Sequence, residues 1–248
     1  MHLNYRAFTS LFVLLLFLSA NAHAQMFSID SESESRRVNR NAPQIRIGLR
    51  AIDFNYTGAT TDNNTGLPVT NRFDTEGTAV HISFESPFLE AYLSVGNKLS
   101  GMGDDQMIDF SIALNNNLNI ITRPRFRTGI PLLAGSQITT IRKKDVNNEF
   151  SQSTIRGAAG AYVDVQFGNA LSIYTNFMPG YGFSSSAGGF FGGTAFTLEG
   201  KLRINFLSVF KNNIISIGYD FNQRSYDIDR EEFDYDLISH MFTIGVSL

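Results

Sequence analysis

The sequence contains no cysteine and no tryptophan, and only 6 of its 248 residues are proline. Without cysteine there is no disulfide scaffold and no thiol behind an export signal to carry a lipid anchor. Charge is also sparse: Asp, Glu, Lys and Arg make up 17% of the chain, against roughly 25% in a typical soluble domain. No run beyond residue 20 reaches the roughly 18 consecutive apolar residues of a membrane-spanning helix, which excludes a helical membrane protein. With 20 basic against 23 acidic residues and a net charge of −3, the chain lacks the clustered basic face of a nucleic-acid binder. What is plentiful is Gly (21), Phe (22) and Tyr (9), in a chain that is 43% hydrophobic. That balance favours β-structure with much of its surface out of water.

Residues 1–24 read as an export signal. Arg6 stands in a short polar start, the run LFVLLLFL over residues 11–18 is of signal-peptide length, and Ala22-His23-Ala24 offers small residues where a signal peptidase cuts. Cleavage is expected between Ala24 and Gln25. It removes Arg6 and no acid, leaving 19 basic against 23 acidic residues. Residues 25–42 (QMFSIDSESESRRVNRNA) are polar and read as a flexible leader, and residues 43–248 as the folded domain.

From Pro43 onward apolar and polar residues alternate, the period-2 signature of strands with one apolar face. Ten such segments can be counted. The clearest covers residues 194–206, where Phe196, Leu198, Leu202, Ile204 and Phe206 alternate with Thr197, Glu199, Lys201, Arg203 and Asn205. The last sets Ile238, Phe242, Ile244, Val246 and Leu248 against Ser239, Met241, Thr243 and Ser247. A segment over residues 108–114 and a long one over 118–141 are separated by Asn115-Asn116-Asn117, which reads as a tight turn. The first segment starts with Ile45, Ile47, Leu49 and Ala51, then switches parity to Ile52, Phe54 and Tyr56, and a bulge near Ala51 would explain the switch. Connections alternate long (57–76, 97–106, 142–152, 181–193, 224–236) with short (86–87, 115–117, 168–170, 208–212). Long loops at one end and tight turns at the other are the habit of outer-membrane barrels. An even strand number closes the sheet and leaves no edge, with both termini at the turn end. The expected fold is all-β: a closed antiparallel up-and-down transmembrane barrel of about ten strands, with eight as the alternative.

The export signal, the ten segments and the terminal strand HMFTIGVSL (240–248) together resemble the small bacterial outer-membrane β-barrel proteins, most closely those of Bacteroidetes-like bacteria. The resemblance covers residues 43–248, rests on architecture, and carries over no functional residue. It implies residence in the outer membrane, contact with its lipid and lipopolysaccharide, a monomer, and a C-terminal strand read by the barrel-assembly machinery. Leu248 stands where that class usually ends in Phe.

Parity assigns the charged side chains to the lumen. The inward set is Arg46, Arg50, His81, Glu85, Glu90, Asp109, Arg123, Arg125, Arg127, Arg156, Asp164, Glu199, Lys201, Arg203, Asp220 and Arg224. Among these, six acids face nine Arg or Lys, an excess of three positive charges. A ten-stranded barrel is only slightly wider than one that side chains can fill, and a buried charge must be paired. The expected outcome is a salt-bridged plug, with an Arg-lined narrow pore preferring anions as the sharper reading. His81 shares a strand face with Ser83 and Glu85, but residues two apart on one strand are separated by roughly 7 Å, so no catalytic set assembles from the sequence. His240 falls on the outward parity. The loop 181–193 (YGFSSSAGGFFGG) lacks the Lys of a phosphate loop. The last loop, with Asp227, Asp229, Glu231, Glu232, Asp234 and Asp236, lacks the turning Gly of a calcium loop. Neither a cofactor nor a metal is expected, nor a nucleic-acid partner. The expected role is structural, surface-binding or narrow-pore, and not enzymatic. A barrel hydrolase acting on outer-leaflet lipid or peptide, or a soluble periplasmic barrel around an apolar ligand, are the alternatives.

Overall fold

The computed structural model describes residues 42–61, 68–143, 148–186, 191–210, 213–227 and 234–248. The expected signal peptide and most of the expected leader lie outside the described residues, as does the centre of the acidic last loop. The elements are β1 (Gln44–Thr61), β2 (Pro68–Glu85), β3 (Leu89–Gly96), β4 (Gln106–Arg123), β5 (Phe126–Lys143), β6 (Asn148–Ala159), β7 (Ala161–Phe167), β8 (Leu171–Ser186), β9 (Phe191–Phe210), β10 (Asn213–Asp227) and β11 (Tyr235–Ser247), with no helix among the described residues. All pairings are antiparallel, and β11 returns to β1 from Gln44↔Ser247 to Tyr56↔Tyr235, closing the sheet. β6 and β7 lie end to end between β5 and β8, parted at Gly160, so eleven strands make a barrel of ten staves. The break sits where backbones crowd: a Cβ on Gly160 would lie 1.8 Å from the Phe177 carbonyl oxygen, and the Gly160 N–H donates to the Pro131 carbonyl at 3.2 Å.

Over most of each strand the apolar parity faces out. Ile45, Ile47, Leu49, Val80, Ile82, Ile108, Phe110, Ile112, Phe242, Ile244 and Val246 are all exposed, while Arg46, Arg50, His81, Asp109, Thr243 and their neighbours on the other parity are buried. A soluble barrel around an apolar ligand needs the reverse arrangement. Toward the loop end the arrangement does reverse. Asp53, Glu76 and Asp236 are exposed on the outside, where Ile52, Phe54, Tyr235 and Leu237 form a buried apolar cluster inside with Met107, Ile141 and Phe150. The strands of 18 residues exceed the roughly 9–11 that cross a bilayer, and their upper parts behave as a water-soluble barrel with an oily core.

Three sequence expectations need correction. No bulge occurs near Ala51, because β1 keeps one register with both neighbours throughout. The apolar residues there change from outward to inward because the surroundings change from lipid-like to aqueous. The Asn115-Asn116-Asn117 turn is not a turn either: these residues pair with Leu133, Leu132 and Pro131 inside β4. The chain turns at Pro124-Arg125, where proline removes a ladder donor. And the long loop expected over 57–76 is largely strand, β1 running to Thr61 and β2 starting at Pro68.

The outward band predicts a depth-dependent response. Ile244→Arg, in the middle of the band, is expected to lower unfolding free energy in lipid vesicles by about 2–4 kcal/mol, and Asp53→Arg at its rim by about 0–1 kcal/mol. Equal costs at both sites, in denaturant titrations of the reconstituted protein, would contradict the assigned band.

Candidate functional site: the barrel lumen

Along β1 the inward side chains pass from Arg46 through Arg50 to Phe54, and each marks a layer of the interior. In the layer nearest the turn end, Arg203 bridges two carboxylates. Its Nη2 donates to Glu85 Oε1 at 2.6 Å and to Asp220 Oδ2 at 2.9 Å, and its Nη1 pairs with Asp220 Oδ1. Lys201 closes the row by pairing with Glu90. Arg46 lies beside this row, donating to Ser216 Oγ at 2.6 Å, Gln44 Oε1 at 2.9 Å and Thr243 Oγ1 at 3.1 Å. Room for that guanidinium comes from glycine. A Cβ on Gly218 would lie 2.2 Å from Arg46 Nη2, and one on Gly245 2.7 Å from its Nη1.

The middle layer is organised on Asp109, whose side chain is fully buried. Its carboxylate accepts from Thr139 Oγ1 at 2.7 Å, Arg224 Nη2 at 2.9 Å, Gln137 Nε2 and Tyr92 Oη at 3.1 Å each, and pairs closely with Arg50. Five residues from four strands, β1, β3, β5 and β10, are thereby tied to one carboxylate of β4 across the lumen. Arg224 Nε also donates to Asn222 Oδ1 at 2.8 Å, and Asn222 Nδ2 to Glu199 Oε1 at 3.0 Å, where Arg156 is paired. Closer to the β4–β5 turn, Arg127 holds Asp164 through its Nε at 3.0 Å and Nη2 at 2.5 Å. The third layer is the apolar cluster, with Phe54 and Phe150 ring centroids 4.8 Å apart.

Of the sequence-assigned lumen residues, Arg46, Arg50, His81, Asp109, Arg156, Asp164, Glu199, Arg203, Asp220 and Arg224 are buried, and Glu85, Glu90, Arg127 and Lys201 are partly so. Arg123 and Arg125 are exposed at the end of β4 and in the turn. Their assignment rested on shared parity with Arg127, but β4 shifts register between Asn119 and Ile121 and the chain turns at Pro124-Arg125, so they leave the lumen and the interior excess of three positive charges falls to one. Tyr92, Gln137, Thr139 and Asn222 were absent from a charge-based set, although their inward parity was readable. His81 accepts or shares a hydrogen bond with Ser94 Oγ at 2.9 Å through Nδ1. Among the described residues no hydrogen bond joins it to Ser83 or Glu85. Arg50 Nη1 donates to the same Ser94 oxygen at 3.2 Å. His81 and Ser94 thus sit beside the Asp109 cluster, below the apolar layer. Between the layers lies a cavity of about 20 Å³ bordered by His81, Glu85, Tyr92, Lys201 and Asp220, room for about one water. Outside the barrel, His240 Nδ1 meets Tyr219 Oη at 2.8 Å on the lipid-facing side.

No family model and no curated protein matches the chain. Among solved structures, the outer membrane protease OmpT from Escherichia coli aligns over 86% of this chain and 98% of its own, with a TM-score of 0.51 and 11% identity. This chain folds as an outer-membrane-type β-barrel. Neisserial surface protein A aligns over 82% and 94% at 11% identity, with a TM-score of 0.30. Ail, the attachment invasion locus protein of Yersinia pestis, aligns over 83% and 97% at 12% identity, with a TM-score of 0.26. The likeness is one of fold, so the properties of the lumen are argued from this chain's own residues.

The network predicts that removing its centre is costly. Asp109→Ala leaves Arg50 and Arg224 buried without their carboxylate, and is expected to destabilise the barrel by about 3–5 kcal/mol. Arg123→Ala, at an exposed site, is expected to stay within about 0.5 kcal/mol of wild type. Urea unfolding followed by tryptophan-free far-ultraviolet circular dichroism measures both, and a near-neutral Asp109→Ala would show that the carboxylate is not the centre. The glycine gap is tested in the same way: Gly218→Val is expected to cost about 1–3 kcal/mol by overpacking against Arg46.

Proposed function

We propose that the protein is a non-enzymatic, non-conducting outer-membrane barrel, whose plugged lumen makes it a rigid platform for the loops at its outer end. The observation that carries this reading is the filling of the interior by three layers of side chains tied to several strands; the pocket between the first two layers measures about 20 Å³. Ions crossing would have to open the Asp109 cluster and then the aromatic lid, both made of side chains tied to several strands. The near balance of interior charge also weakens the anion-selective version of a pore. A lipid-facing band of Ile, Val, Leu and Phe supports the membrane location, with export through the signal at Ala24–Gln25. The turn end, which holds both described termini, would then face the periplasm. Outer-membrane lipid and lipopolysaccharide would surround the band, and the outward apolar row of β11 ending at Leu248 would be the segment presented to the barrel-assembly machinery. The hydrolase alternative has less support, because His81 lies within the plug and pairs with Ser94.

Reconstitution in planar bilayers tests the proposal. Wild type is expected to insert, as shown by a heat-dependent gel-mobility shift, without stepwise unit conductance. Reproducible unit conductance in wild type would overturn the plug. A triple variant, Arg50→Ala with Asp109→Ala and Arg224→Ala, keeps charge in balance within one unit and clears the middle layer; the apolar lid is expected to keep it closed to ions unless Phe54→Ala is added.

A further inference from the structure

Closure pairs the staves along their shared height, yet among the described residues β4 keeps an unpaired edge at the turn end. β3 pairs with β4 only from Gly96↔Met107 to Leu89↔Leu114, and the Asn115 N–H then donates to the Phe88 carbonyl at 3.0 Å. β4 continues to Arg123, paired on its other side with β5 as far as Arg123↔Phe126, with one register shift between Asn119 and Ile121. Among the described residues nothing pairs with residues 116–123 on the β3 side. The Asn115 N–H points to that side, and strand geometry sends alternate N–H groups the same way, so those of Asn117 and Asn119 point to it as well. The side chains along this stretch are exposed on both faces, with Leu118 47% and Ile120 69% accessible. At its tip stand Arg123 and Arg125, both exposed, neither in an ion pair with a described residue.

An unpaired strand edge is a template for a further strand, and its backbone groups and alternating side chains supply affinity and selectivity when an extended segment adds to it. We propose that residues 116–123 of β4 form a docking edge for an extended segment of a partner protein at the turn end, one with apolar side chains at alternate positions and carboxylates where it reaches Arg123 and Arg125. Charge selects this occupant. Two exposed arginines at the tip, without an ion pair among the described residues, favour an acidic strand and disfavour a basic one. A second copy of the chain brings its own Arg123 and Arg125 and no acid on the same edge, so it offers no complement. The proposal is independent of the plug: an open lumen would leave this edge unchanged.

The full-length mature chain, refolded in detergent micelles, can be titrated with two fluorescent octapeptides of alternating valine and threonine. One carries a pair of glutamates at its N-terminus and the other at its C-terminus, and each has a counterpart with lysines in place of the glutamates. At least one glutamate peptide is expected to bind ten-fold or more tightly than its lysine counterpart. Arg123→Glu with Arg125→Glu is expected to reverse that preference. Asn117→Pro deletes an N–H that faces the free edge and none that faces β5, so it should keep the heat-dependent gel shift and lose peptide binding. Equal binding of glutamate and lysine peptides, binding to Asn117→Pro as to wild type, or no binding by wild type would each overturn the proposal. So would an Arg123→Glu, Arg125→Glu effect confined to association with phosphatidylglycerol vesicles, since the tip would then be a lipid contact.

Discussion

The ladder between β1 and β11, from Gln44↔Ser247 to Tyr56↔Tyr235, turns a meander into a cylinder, and the remaining features follow from that closure. In hydrocarbon a backbone N–H or C=O has no water to bond, so a sheet can cross only if its two ends meet. Within the apolar band, closure then divides the side chains into those that face outward, toward lipid, and those that share a narrow interior. The outward parity must be apolar. The inward parity, in a ten-stave barrel barely too wide to fill itself, must be large, and where it is polar it must be paired.

Long side chains with fixed charge solve both requirements at once. A guanidinium on a three-carbon stem reaches the barrel axis and offers five donors there, which is why Arg46, Arg50, Arg156, Arg203 and Arg224 reach partners on distant strands. Arg203 on β9 meets Glu85 on β2, and Arg224 on β10 meets Asp109 on β4. Such pairs contribute little net stability against an apolar filling of equal volume, because desolvation offsets the attraction, yet losing one partner is costly. Their consequence is a fixed register. A one-residue slip of β4 would turn Asp109 toward lipid and leave both arginines buried alone, so the network disfavours misregistered closure more strongly than it favours folding.

The period-2 pattern made the strands, their facing and most of the lumen charges legible, because in a barrel parity alone decides between inside and outside. Parity carries no information about height, and the misreadings come from there. Arg123 and Arg125 share the alternation of Arg127 in the sequence, but they stand at or past the end of β4, beyond a register shift between Asn119 and Ile121 that the alternation does not reveal. Local propensity favoured a turn at Asn115-Asn116-Asn117, where the ladder to β5 holds all three in a strand. Pro124, which cannot donate to any ladder, was the better marker of the turn. Neutral partners such as Gln137 and Thr139 were missed for a different reason. Nothing in the alternation separates a polar residue that touches Asp109 from one that merely faces inward.

Height becomes readable only when both faces are followed together. Below Ala51 the outside is apolar and the inside charged; above it Asp53 and Glu76 face out while Ile52 and Phe54 face in. Neither change alone is informative, since a single inward Phe or outward Asp could be local. That they occur together on paired strands β11, β1 and β2, with registers unbroken, means that the solvent outside has changed and the strands have not. Above that level the chain is subject to the ordinary rule for water, an oily core within a polar coat, and the apolar core built there lies directly over the charged lumen below. The same crossing from lipid-like to aqueous surroundings that obliges the strands to reverse their faces therefore also sets an apolar layer over the charged one, built from the staves themselves.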